Sequence, residues 1–355
     1  MNSVIGHSRP TIADDDIEAV ARTLRSGWLS QGEEVRSLEA ELARMVGMRG
    51  GVCVSSGTAA LHLALVAVGV REGDRVAMPG YCCPSVLHAV RLAGGLPVLV
   101  DIDPLKLVID ADDLVKKVRG GVRALILVHL LGYPGPVEIR KDLGVDIAFI
   151  EDCAQSLGAS VDSAPVGSFG DVGVFSFYAT KLITTGEGGM VVSDDVELLS
   201  RVGEMRSART GGNGISFNYT MSDVQAALGR SQLAKLNSFL EKRKRLAGLY
   251  RSELADCNLR FIEEIKGREP AHYRFVVGIE GKDLQDVITG MAKRRIECRR
   301  PFEEPVFMLL GENNLIGCRL AYSKLLSLPI YPSLGEGDLH RVAHELIRQI
   351  GGRGR

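Results

Sequence analysis

Residues 175–189 read FSFYATKLITTGEGG. The first three residues close an apolar run, DVGVFSF, whose composition suits a buried strand. A second run, GGMVVSDD, follows the glycines and suits another. Lys181 therefore stands in the connection between two strands, where an ammonium group is costly unless it stays in water or is put to use. Taken alone, a lysine past a strand end is an ordinary surface group. A desolvated lysine beside positive charge, by contrast, has a lowered pKa and can condense with a carbonyl.

Working outward, the preceding chain alternates short apolar runs with helical stretches. GVCVSS, DRVAMP, LPVLVDID, VRALILVHLLG and DIAFIEDCA read as strands, and GTAALHLALVAVGV and PSVLHAVRLAGG as helices between them. Runs of four to six apolar residues separated by helices imply parallel strands with crossover helices. From Ser222, SDVQAALGRSQLAKLNSFLEKRKRLAGLY reads as one long helix, with Leu233, Leu236 and Leu240 at the spacing of a buried stripe. Beyond it, YRFVVGIE, DLQDVITGMAKRR and GDLHRVAHELIRQI suggest a smaller α/β unit. The expected division is a large domain over 1–250 and a small C-terminal domain over 251–355, as the length of 355 residues favours.

Composition narrows the function. Hydrophobic residues make up 45% and charged residues 25%, and the formal net charge is −1, so no global field attracts nucleic acid or an anionic membrane. No run approaches the roughly 18 apolar residues that span a bilayer, and the start lacks the basic flank and apolar core of a signal peptide. Seven scattered cysteines without C-x-x-C spacing argue against a disulfide framework and against a zinc site; they fit a reducing cytoplasm, and no metal is expected.

In an open α/β sheet, ligands bind beyond the carboxyl ends of the strands. Three segments join the lysine there. SSGTAAL (55–61) places Gly57, Thr58 and Ala59 at a helix start whose N–H groups suit an anion, although Ser56 or Thr58 could simply cap the helix. AFIEDCAQS (148–156) sets Glu151 and Asp152 at a strand end, where a carboxylate needs a cationic ring nitrogen or an arginine as partner; Gln155 lies three residues on. FNYTMSDVQAALG (217–229) carries Asn218 before a helix for which Ser222 is the expected cap. Together they supply a phosphate cup, an acid for a pyridinium nitrogen and an amine for an aldehyde, the requirements of pyridoxal phosphate.

SSGTAALHLAL, EDCAQSLGA, GDVGVFSFYATKLITTGEGGMVVSDD and NYTMSDVQAALG resemble, in order and spacing, the motifs of DegT/StrS-type aminotransferases. GWLSQGEEVRSLEAELA near the start and LSLPIYPSL near the end extend the likeness over nearly the whole chain. The resemblance implies the fold-type I architecture of pyridoxal 5'-phosphate (PLP) enzymes: a mostly parallel central sheet flanked by helices, plus a smaller C-terminal α/β domain. It implies homodimers with shared active sites, and amination of a keto-sugar, nucleotide-linked, with glutamate or glutamine as donor. The alternatives are a non-nucleotide ketone such as a cyclitol, or a dehydratase-like use of the scaffold; related dehydratases carry histidine in place of the lysine. By the resemblance, Lys181 holds the cofactor and Asp152 pairs with its ring nitrogen. Gln155 meets the ring hydroxyl, while Gly57, Thr58, Ala59 and Ser176 meet the phosphate, and Asn218 reaches it from the other subunit. Ser30, Glu187 and Arg299 are the implied substrate contacts.

Three departures stand out. PGYCCPSV (79–86) replaces the motif whose aromatic residue stacks on the ring, so Cys83 falls at that position with Tyr81 two residues earlier. Thr220 stands where family members often carry arginine. CRRPFEEPVF (298–307) stands near the place of a histidine-tyrosine-proline stretch, and Arg299 and Arg300 are the cations it offers.

Overall fold

The computed structural model describes residues 4–144, 147–207 and 215–351. Each apolar run named above forms a strand: β1 Gly50–Val54, β2 Arg75–Pro79, β3 Leu96–Val100, β4 Ala124–Val128, β5 Ala148–Asp152, β6 Val172–Ser176 and β7 Gly189–Ser193. Asp146, which opens the fifth run in the sequence, lies outside the described residues. They build one seven-stranded sheet in the order β1-β7-β6-β5-β4-β2-β3. All strands run parallel except β7, which is antiparallel to both β1 and β6. The reason is the connection: residues 177–188 contain no helix, and a parallel return needs a crossover of a dozen or more residues, usually helical.

The central strand β4, ALILV, is buried at every position, as a sheet covered on both faces requires. On one face, α3 (Gly57–Ala67) and α4 (Pro84–Leu92) pack Leu61, Leu65, Val86 and Leu87 against Met78, Ile126 and Ile150. On the other, α2 (Glu33–Val46) brings Leu38 and Leu42 into a core with Leu125, Phe149 and Phe175. Each of these fully buried side chains contributes roughly 1.5–3 kcal/mol relative to exposure. α1 (Asp14–Ser26) lies outside this layer against α5 (Asp223–Ala234).

The long helix expected from Ser222 is two helices. α5 ends at Ala234, and α6 (Leu236–Glu253) begins after Lys235, whose φ of −100° and ψ of −1° break the ladder. Lys235 is pinned there by its ammonium group, 2.7 Å from Asp15 and 2.6 Å from Asp16. The break lets α5 stay on α1 and α2 while α6 turns toward a third core. That core joins Leu246, Ala247 and Tyr250 to a small antiparallel sheet, β8 (Leu259–Phe261), β9 (Phe275–Ile279) and β10 (Leu325–Leu328). α7 (Leu284–Lys293) and α8 (Glu336–Ile350) cover it. Ile5, from the far N-terminus, is buried in the same core.

Candidate active site

The parallel strands end on one edge of the sheet, and three segments meet there. Gly57 and Thr58 follow β1, Asp152 closes β5, Ser176 closes β6, and Lys181 lies a short loop beyond it.

Ser56 caps α3: its Oγ accepts the Ala59 N–H at 3.1 Å. Ala59 is thereby engaged, which leaves Gly57 and Thr58 to present the uncapped N–H groups of a helix start that carries no acidic side chain in its first turn. Glycine is required at both sides of this turn. A Cβ on Gly57 would stand 2.8 Å from the Cβ of Ser176, and one on Gly189 would stand 2.5 Å from the Ser56 carbonyl oxygen. The GEGG run thus lies directly against the SGT turn. Gly186, with φ of +79°, makes the left-handed step that starts the run. Thr185 Oγ1 and Gln225 Nε2 then donate to the Glu187 carbonyl at 2.6 and 2.8 Å. The Glu187 side chain is exposed.

The two adjacent acids separate by strand alternation, so they face opposite sides of the sheet. Glu151 is fully buried and saturated. It accepts from His129 Nε2 at 3.0 Å and from the N–H groups of Gly167, Phe169 and Gly170 at 2.9, 2.7 and 2.7 Å. Burial alone would push its pKa up, but the His129 hydrogen bond and these N–H groups hold it below the ordinary carboxylate range. His129 Nδ1 accepts the Gly135 N–H at 2.9 Å, so Nε2 carries the proton. The ligand atoms of His129, Glu151 and Cys153 lie within 4.8 Å of one another, but the histidine and carboxylate atoms are already committed to hydrogen bonds.

Asp152 is different. It is buried, and its Oδ1 accepts one N–H, from Ala154 at 2.9 Å. Burial raises its pKa; the Ala154 N–H, Lys181 and His129 pull in the other direction without restoring it. The acid therefore lacks a full cationic partner. Gln155 Oε1 accepts the Leu131 N–H at 2.8 Å, which leaves its amide N–H groups as the available donors. Leu131 adopts φ of +57°, a strained conformation for leucine.

Lys181 is half-buried, and its Nζ lies 5.2 Å from the ring centroid of Tyr273. Tyr273 and the following Arg274 are site residues that sequence reading missed. They come from the turn before β9, held by Arg243, whose Nη1 donates to the carbonyls of His272, Tyr273 and Ile330. Burial raises the Tyr273 hydroxyl pKa, but Lys181, Arg274 and Thr180 outweigh it and leave it lowered.

Cys83 is half-buried at the start of α4 with its Sγ 3.1 Å from Ser85 Oγ. Tyr81 is turned away into the core, its ring edge-on to Phe302 at 5.2 Å. Asn218 is exposed; its neighbour Tyr219 accepts the Ser55 N–H at 2.8 Å and so hangs the segment on the SGT turn. Ser30 is exposed, its carbonyl accepting from the Asp223 N–H at 3.3 Å. Arg299 is exposed and donates to Glu297 at 3.3 Å, while Arg300 is committed to Gln285 and lies over the Tyr322 ring.

A family model described as the DegT/DnrJ/EryC1/StrS aminotransferase family matches residues 10–347. A GDP-perosamine synthase of Vibrio cholerae is 30% identical over 94% of this chain and 96% of its own length. A second, from Escherichia coli O157:H7, is 29% identical over 92% of this chain and 93% of its own. Among solved structures, the aminotransferase TlmJ from Streptoalloteichus hindustanus superposes with a TM-score of 0.92 at 28% identity, covering 98% of each chain.

Proposed function

This chain belongs to the DegT/DnrJ/EryC1/StrS aminotransferase family, and from that membership we propose that it is a PLP-dependent aminotransferase of a nucleotide-linked keto-sugar, with Lys181 as its central catalytic residue. The amino donor is glutamate or glutamine. The relatives named GDP-perosamine synthase support a sugar carried on GDP.

The observation that carries the residue assignments is Asp152: a buried acid with a raised pKa, one N–H partner, no ion pair among the described residues, and the charge of Lys181 acting on it. A cationic ring nitrogen supplies the missing charge. Gly57 and Gly189 let the end of β6 and the glycine run close onto the SGT turn, which brings the Ser176 hydroxyl to the helix start whose free N–H groups suit a phosphate. PLP, when bound, supplies an aldehyde for an amine and a protonated ring that accepts the electron pair of a departing Cα proton. Lys181 Nζ would hold it, Asp152 would keep its ring nitrogen protonated, and the Gln155 amide would donate to its hydroxyl. The Gly57 and Thr58 N–H groups with the Thr58 and Ser176 hydroxyls would hold its phosphate. Cys83, rather than the inward-turned Tyr81, is the side chain available to cover the ring.

Lys181 Nζ, once free, takes the proton from the donor's Cα and returns one to the product carbon, acting as general base and then general acid. The Tyr273 ring, whose hydroxyl is hydrogen-bonded by Thr180, borders that amine on one side. The exposed position of Asn218, and of Tyr178 three residues before Lys181, supports a homodimer in which a second copy covers this edge. The seven free cysteines support a cytoplasmic setting, and no helix among the described residues is long and apolar enough to cross a membrane. Lys181, where related dehydratases carry histidine, speaks against the dehydratase-like alternative.

The test is spectroscopic. Purified protein supplied with PLP should show a visible absorption band that fades on addition of L-glutamate; absence of the band sinks the reading. Lys181→Ala should still bind the cofactor, but turnover should fall by roughly a hundred- to ten-thousand-fold or more. Full activity in that variant would reject the role given to the lysine.

A further inference from the structure

Arg274 is half-buried and immediately precedes β9. Its guanidinium carbon lies 4.3 Å from the centroid of the Tyr273 ring, and its Nη2 donates to the Tyr273 hydroxyl at 3.0 Å. Lys181 Nζ lies 5.2 Å from the same centroid. The two cations are therefore no farther apart than those two distances laid end to end. Stacking on an aromatic face fixes the plane of a guanidinium while leaving its outer N–H edge open, the edge that accepts paired oxygens of a carboxylate or phosphate.

No acid neutralises this group: among the described residues, no carboxylate lies within ion-pairing distance of Arg274. One buried neighbour adds positive charge, and a second is kept neutral beside it. Arg243, fully buried beside it, is brought down to about 10 by burial and then by Arg274. His7, which meets Ser327 at 2.9 Å, is kept neutral by burial and then by Arg274 and Arg299. Such an excess of cations next to a reactive amine is unfavourable in the empty site and favourable once an anion enters.

The backbone holds Arg274 in register with the rest of the site. Its N–H donates to the Leu131 carbonyl at 3.2 Å, and the Leu131 N–H donates to Gln155 Oε1 at 2.8 Å. One strained residue thus ties the Arg274 backbone to the glutamine assigned to the cofactor ring.

We propose that Arg274 seats an anionic group of the substrate beside Lys181: a carboxylate of the amino donor, or a phosphate of the sugar nucleotide. The inference rests on the aminotransferase reading and assigns the substrate's charge to a residue other than Arg299, whose guanidinium is exposed and already paired with Glu297.

The experiment compares wild type, Arg274→Gln and Arg274→Lys as holoenzymes. Succinate and GDP are titrated by calorimetry, and kcat and KM are measured for L-glutamate and for the keto-sugar nucleotide. Arg274→Gln should weaken one probe by at least about ten-fold, with the matching KM rising and Arg274→Lys recovering part of the loss. Loss of succinate binding identifies the donor carboxylate as the anion, and loss of GDP binding identifies the phosphate. Unchanged binding of both probes in Arg274→Gln overturns the proposal. Loss of the cofactor absorption band in both variants overturns it too, since Arg274 would then be a cofactor ligand, as does failure of wild type to bind either probe. If wild type carries no such band yet its probe binding still depends on Arg274, the aminotransferase reading fails while the anion seat stands.

Discussion

Asp152 and Glu151 are neighbours in sequence with opposite electrostatic fates. Glu151 has four donors and a lowered pKa, whereas Asp152 has one N–H and a raised one. An acid whose native pKa lies above its unfolded value is a net burden on the fold at neutral pH, and that burden lifts as the pH falls. Asp152→Asn should therefore leave the cofactor-free protein as stable as wild type or more so, while turnover drops at least about a hundred-fold. Melting temperature and kcat measured on the same preparation check this; a fall in both would mean that the acid is structural. The FIED run shows an acid pair at a strand end, but the residue type alone does not say which acid is saturated. That depends on the N–H groups of Gly167, Phe169 and Gly170, which the chain brings back only after β5. Tyr273 and Arg274 were harder still. They sit some ninety residues past Lys181 in an ordinary pre-strand segment, and the Leu131 and Arg243 contacts that aim them are long-range.

The elements that carry local signals were legible. Seven apolar runs became seven strands, and Ser222 became a cap with a reciprocal Gln225 bond because that motif is complete within four residues. The break at Lys235 was not legible: RSQLAKLNSFL (230–240) contains no glycine or proline, and the interruption comes from Asp15 and Asp16 on another helix. The turn at Gly57 and the glycine run ending at Gly189 form one unit despite their separation. Gly189→Ala would press a methyl group to within 2.8 Å of the Gly57 nitrogen and 2.5 Å of the Ser56 oxygen, both backbone atoms that cannot swing aside. We expect a loss of about 1–3 kcal/mol in stability and a clear rise in the dissociation constant for PLP. Calorimetric titration of cofactor into the variant checks the second effect, and unaltered affinity would separate the turn from the phosphate site.

Across the whole molecule, the response to acid should follow Glu151. Its native pKa is lowered, so the unfolded chain binds more protons between the two values. Stability is then fully present above the ordinary carboxylate range and is lost as pH falls through the native value. Glu151→Gln removes this titration and turns an amide N–H group toward backbone donors that faced a carboxylate, so it should cost about 1–3 kcal/mol at neutral pH and flatten the acid limb of urea midpoints. An unchanged acid limb would place the sensitivity elsewhere. The sheet order has a further consequence for how the chain is made. β1 lies at the sheet edge and has β7 as its strand partner, Gly50 opposite Ser193, so the first strand to leave the ribosome has no place to dock until nearly 140 residues later. The last strand of the large sheet therefore brings the turn after β1 to the acid that ends β5 and the lysine beyond β6, and a nascent chain stalled before Gly189 holds Asp152, Ser176 and Lys181 without the strand that joins the SGT turn to them.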